Sequence, residues 1–165
     1  MTSSLLVSTH RATRFRWATA RLNEVSFKIT DLDGLTLGNT IGTTVLIDID
    51  AAGHGWFVDT TPYDDTEFRR QNTDSELLAT ASSSAFGDMD LLTVVMHEIG
   101  HVLGFEDLDP EDHPHDLMSS TLATGVRRLY VETAITRSES YMPCPLPKVR
   151  GVYEGDPRRP WLDLK

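Results

Sequence analysis

The sequence predicts an α+β domain, and three observations carry that expectation. Apolar residues alternate at Val25, Phe27 and Ile29 and again at Val45, Ile47 and Ile49, which is the period of strands. They recur at Leu92, Val95, Met96, Ile99, Val102 and Leu103 at the spacing of one helix face. Between these regions, Ala51-Ala52-Gly53-His54-Gly55 reads as a turn leading into a further strand at Trp56-Phe57-Val58, so the two strands that flank it suggest a hairpin.

A chain of 165 residues suffices for one domain with a real core and is short for two. Residues 1–12 are polar and aperiodic, a flexible segment. The domain is expected over residues 13–138 and opens on a weak helical stripe of Phe15, Ala18 and Leu22. A turn at Asp33-Gly34 separates the first two strands. Residues 63–87, rich in Asp, Ser and Thr, read as a long surface connection. The central helix spans 88–104, with Asp88 or Asp90 complementing its start and Gly104 closing its end in a left-handed conformation. An acidic loop around Pro110 and Pro114 follows, then Asp116-Leu117-Met118 and a further helix near 122–136. Residues 139–165 form a proline-rich tail.

The net charge is -10, and it is unevenly spread: residues 31–125 hold nineteen acidic and two basic residues. Such a segment repels phosphate backbones, so nucleic acid is excluded as a partner. Carboxylates also ligate calcium, and Asp31 and Asp33, Asp48 and Asp50, or Asp59, Asp64 and Asp65 are its candidate donors. The ordinary reading of these acids is solvated loop and strand-end residues, and no EF-hand loop is present. The single cysteine, Cys144, excludes an intrachain disulfide. No stretch reaches membrane-spanning length and no apolar signal region opens the chain, which points to a soluble chain or to a fragment of a longer secreted one.

The chemistry concentrates on the central helix. His97 and His101 are four residues apart, so their imidazoles stand on one helix face a turn apart and can share a metal ion. Glu98 projects beside that ion and is the candidate general base. Catalytic zinc takes three protein ligands and keeps a position for water. Gly104 lets the chain fold back and bring Asp107, a competent oxygen ligand, to the same ion. His113 and His115 compete for that third place. His10 and His54 read as surface residues.

The run from His97 through Asp107 resembles the metzincin signature HExxHxxGxxH with aspartate in the last position, the form carried by snapalysin-type bacterial proteases. Leu117-Met118 looks like the clan's Met-turn. The stretch from about Thr43 to Arg128 is similar to matrixin-like domains embedded in large bacterial surface or secreted proteins. This resemblance implies a zincin architecture, a small twisted mixed β-sheet packed on the active-site helix. It implies Zn2+ on His97, His101 and Asp107, with Gly104 and Met118 supporting them structurally, and a strand at Trp56, Phe57 and Val58 that pairs with substrate backbone. The implied function is zinc-dependent hydrolysis of peptide bonds in a protein or peptide substrate, with Glu98 as base. The implied setting is extracellular or at the cell surface, as a monomer or as part of a larger polypeptide. A degenerate, non-catalytic zinc- or calcium-binding module is the alternative. Cys144 reads as a free tail thiol rather than a zinc-blocking one, because the matrixin cysteine precedes the catalytic domain.

Overall fold

A computed structural model describes residues 17–131 together with 162 and 163. The expected flexible segment 1–12 and nearly all of the proline-rich tail, Cys144 included, lie outside the described residues. Within them the architecture is α+β, with small sheets around one long helix.

Helix α1 spans 17–23 and leads into β1 (Ser26–Thr30), β2 (Gly38–Ile41) and β3 (Thr44–Asp48). These strands form a mixed sheet in the order β1-β3-β2, with β1 parallel and β2 antiparallel to β3. β2 was not legible as a strand, because Gly38-Asn39-Thr40 has the composition of a turn. Phe27 and Ile29 of β1 lie in register with Val45 and Ile47. Helix α2 (Leu91–Val102) packs on β2 and β3 and leaves the β1 edge bare. Val45 and Ile47 are therefore buried while Phe27 and Ile29 are 53% and 70% exposed.

The expected hairpin after β3 does not form. β4 (Trp56–Phe57) pairs instead in parallel with β7 (Met89–Asp90), directly ahead of α2. The chain leaves β3 in a coil in which the Asp48 carboxylate accepts from the backbone N–H of Asp50 and Ala52, with Ala51 and Ala52 both at positive φ. That coil carries the chain away from β3 and lets the Trp56 indole donate back to the Asp48 carbonyl at 2.8 Å.

Residues 63–87 are not a plain connection. They contain β5 (Arg70–Thr73) and β6 (Glu76–Leu78), which pair with β9 (Val126–Arg128) in the order β5-β6-β9. The helix expected near 122–136 is likewise replaced, within the described part, by β8 (Thr121–Leu122) and β9. Arg127 and Arg128 are buried in β9 because Arg127 finds carboxylates there and Arg128 finds carbonyls beside the Glu76 carboxylate, partners that a solvent-facing helix would not supply. β10 (Leu162–Asp163) returns to pair antiparallel with β8.

The main core joins Leu37, Val45, Ile47, Met89, Val94, Val102, Leu122 and Val126. A satellite core holds Phe57, Phe68 and Ala85, with the two phenyl rings edge to face at 5.6 Å. No helix among the described residues is long and apolar enough to cross a membrane.

Candidate metal centre

Helix α2 is fixed at both ends. Asp90 is its N-cap, accepting from the Thr93 N–H at 3.2 Å and the Thr93 hydroxyl at 2.7 Å. The Asp90 carboxylate also takes two bonds from the Arg127 guanidinium, at 3.1 and 2.9 Å. At the other end Gly104 has φ +90°. The Gly104 N–H donates to His101 O and the Phe105 N–H to Gly100 O, the paired bonds of a Schellman close. Arg21 of α1 donates from Nε and Nη2 to the Val102 carbonyl, placing a cation at the helix C-terminus.

This close sets the ligand geometry. The reversal at Gly104 carries Phe105 O back to within 2.9 Å of His101 Nδ1, and Leu117 O lies 2.9 Å from His97 Nδ1. A carbonyl oxygen can only accept, so both Nδ1 atoms carry a proton, and each ring in its neutral form presents an Nε2 lone pair. The two Nε2 atoms are 3.0 Å apart, close enough to share a proton or a metal ion. His97, Glu98 and His101 form a cluster that can hold a metal ion.

Asp107 lies beside the two imidazoles. Its Oδ1 lies 3.2 Å from His97 Nε2 and 3.4 Å from His101 Nε2. It is held there because Leu108 is bonded on both sides to the following loop: its N–H donates to Met118 O, and its carbonyl accepts from Ser120 N–H. Met118 occupies the tight turn closed by Ser119 N–H on Asp116 O. Its sulfur rests against Gly100 of α2, where any Cβ would collide with it.

The rival histidines are engaged elsewhere. His113 Nδ1 lies 2.8 Å from Asp116 Oδ2, and His115 Nδ1 lies 3.1 Å from Glu76 Oε1. The carboxylates named as calcium donors are largely turn acceptors: Asp48 takes three backbone N–H bonds, Asp50 one and Asp59 one.

Electrostatics separate the two histidines. Burial holds His97 below its ordinary value, whereas at His101 the Asp107 carboxylate outweighs burial and raises it. Burial alone would raise Asp107, but the two imidazoles hold it down at about 2. Glu98 is wholly buried, and burial pushes its carboxyl up to about 7 against the lowering effect of the Thr40 hydroxyl.

The strand beside Glu98 is β2, and not the one at Trp56, Phe57 and Val58. Trp56 and Phe57 turn into the two cores through β4, and Val58 is exposed beyond it. On β2 the Thr40 hydroxyl lies 2.7 Å from Glu98 Oε2 and 3.0 Å from Glu98 O. Asp48 N–H donates to Leu37 O, so the alternation of an antiparallel pair directs the backbone N–H and C=O of Gly38 and Thr40 away from β3.

Sequence reasoning did not single out Gly38, Thr40, Gly100, Arg127 or Arg128. The one available signal was the Arg-Arg pair directly after the acidic region. No family model, curated protein or solved structure matches the chain.

Proposed function

We propose that the chain is a zinc-dependent endopeptidase, with His97, His101 and Asp107 as metal ligands and Glu98 as general base. The observation that carries this reading is the convergence of three donor atoms beside a buried carboxyl. Tetrahedral zinc about 2.0 to 2.1 Å from each donor keeps its donors about 3.3 to 3.4 Å apart. The three edges here measure 3.0, 3.2 and 3.4 Å. Two neutral imidazoles and one carboxylate are also the donor chemistry zinc selects over calcium, which takes six or more oxygens.

Bound there, zinc would supply a Lewis acid that polarises a carbonyl and lowers the pKa of a water. Glu98 takes the proton from the attacking water and returns it to the departing amine. Its buried carboxyl, held through Oε2 by the Thr40 hydroxyl, is placed to accept and release that proton. The outward edge of β2, accessible at the half-buried Thr40 and beyond it rather than at the buried Gly38, would hold an extended peptide as an added strand alongside Glu98. A purely structural ion gains nothing from a buried base, so Glu98 favours catalysis over a stabilising metal alone.

The test pairs metal analysis with cleavage of a quenched peptide library. The dialysed protein is expected to keep one zinc per chain and to cleave. Glu98→Gln is expected to keep the zinc and lose cleavage by at least about 100-fold. Full activity in that variant, or a wild-type chain that binds no zinc, overturns the reading.

A further inference from the structure

We propose that Thr40 is a positioning residue for Glu98, and that Gly38 and Thr40 couple the register of a bound peptide to the placement of the base. The inference rests on the endopeptidase reading above and adds to it a part for β2.

The two carboxylate oxygens of Glu98 are not equivalent. Oε2 lies 2.7 Å from the Thr40 hydroxyl, whereas Oε1 is buried with no hydrogen-bond partner among the described residues. A hydroxyl carries one proton, so Thr40 either donates to Oε2 or turns to Glu98 O at 3.0 Å. With the carboxylate charged, the bond to Oε2 is the stronger of the two. It fixes the plane of the carboxylate and leaves Oε1 as the oxygen free to accept a proton. Once the carboxyl is neutral that preference weakens, and Glu98 O remains as the alternative acceptor.

Gly38 supplies the room. A Cβ built there would lie 2.6 Å from Oε1, 2.8 Å from Cγ and 2.9 Å from Cδ of Glu98, so the side chain lies flat against bare backbone. These two residues, two positions apart and so on one face of β2, turn that face to the carboxyl and direct their backbone N–H and C=O away from β3. A peptide paired on that edge is therefore indexed to the residues that hold the base. No separate loop intervenes, so its position relative to Oε1 inherits the stiffness of the strand.

The deciding variants are Thr40→Val, which keeps the shape and removes the hydroxyl, and Thr40→Ser, which restores it. The full chain is assayed on one quenched peptide, with zinc content and thermal midpoint measured on the same samples. Thr40→Val is expected to lower kcat about 10- to 100-fold with KM within about twofold and one zinc retained. Thr40→Ser is expected to recover kcat to within about threefold of the wild type. A merely structural Thr40 would lower the thermal midpoint and leave the kcat of the folded fraction intact, which overturns the proposal. So does a Thr40→Ser variant as slow as Thr40→Val. If Thr40→Val does not fold, Gly38→Ala decides. It keeps the hydroxyl but displaces the carboxyl, and an unchanged kcat there refutes the coupling. The reading beneath fails separately: a wild-type chain that cleaves nothing, or a Glu98→Gln variant that cleaves fully, removes both, whereas an active wild type with an equally active Thr40→Val removes this inference alone.

Discussion

The Nδ1–H of His97 donates to the carbonyl of Leu117 at 2.9 Å, and through that bond the loop after the helix dictates which nitrogen of the buried ring faces the site. The loop is in turn held by Arg128, whose guanidinium donates to the carbonyls of Pro114 at 2.8 Å, Asp116 at 3.1 Å and Ser119 at 3.4 Å. Arg128 itself is fully buried beside Glu76.

Arg128→Met keeps most of the volume and strands three carbonyls and a carboxylate. It is expected to cost about 3 to 5 kcal/mol of stability, read from urea midpoints. In the folded fraction the metal affinity is expected to fall about 10- to 100-fold, since the Leu117 acceptor is no longer held in place. Competition with a chromophoric chelator measures that loss.

Asp107 is the one donor that comes from outside the helix and the most exposed of the three. On the proposed ligand set, Asp107→Ala removes one donor without opening the core, so zinc affinity is expected to drop at least about 100-fold while the metal-free thermal midpoint moves little. Zinc at about 1,000 times its dissociation constant should stabilise the wild type by about 4 kcal/mol. The variant should show no such gain at the same concentration, which differential scanning calorimetry can follow.

Acid should weaken the metal-free fold in a defined direction. Burial pushes the Asp48 carboxyl up, but the N–H donors of Ala52, Leu32 and Asp50 outweigh it and hold it below its ordinary 3.8. A carboxyl depressed on folding stabilises the native state above its unfolded pKa and loses that contribution as pH falls through the folded one. Asp59, drawn down by Thr61 N–H and Arg127 against its own burial, acts in the same sense. The contribution of these two carboxylates is expected to be complete above about pH 5 and to be lost progressively below about pH 4. Asp48→Asn should flatten that fall, which urea midpoints at the two ends of the range would reveal.

Arg127 is 1% exposed and faces Asp90 at 2.9 Å, Asp59 at 2.8 Å and Asp65 at 3.1 Å, with its guanidinium 4.4 Å over the Phe68 ring. Arg127→Met leaves buried carboxylates without a counter-charge and is expected to cost about 3 to 5 kcal/mol. Adding Asp90→Asn should return part of that loss, because the amide still accepts from Thr93 and carries no charge. A double-mutant cycle on chemical denaturation measures the coupling.

The helix and its paired histidines were legible because a period of 3.6 fixes which residues share a face, and His97 and His101 need only that geometry to meet. Asp90, one of two candidate caps, is the one that bonds Thr93. The α+β class followed from the two periods, but the pairing did not: β2 hides in a glycine-asparagine-threonine run, and β5 and β6 lie in a polar segment with little alternation. Their partner β9 is held by Arg127 and Arg128, and a sequence does not reveal that adjacent arginines are buried until their carboxylates are brought near. For the same reason the strand beside Glu98 was sought at Trp56-Phe57, where large side chains advertise a strand, and not at Gly38-Thr40, where a missing side chain and a hydroxyl make the fit.

The Asp90 carboxylate belongs at once to the first turn of α2 and to the Arg127 cluster that holds the loop at Asp59 and Asp65. Fraying of that turn would expose the guanidinium, and opening of the loop would release the cap, so neither event is independent of the other. In hydrogen exchange, the hydrogen-bonded amides of Thr61 and Asp64 in the loop and that of Thr93 in the first helical turn should open as one unit, with a common free energy and a common denaturant dependence. The helix that carries His97 and His101 would then begin on a turn that shares its lifetime with a loop about thirty residues upstream in sequence.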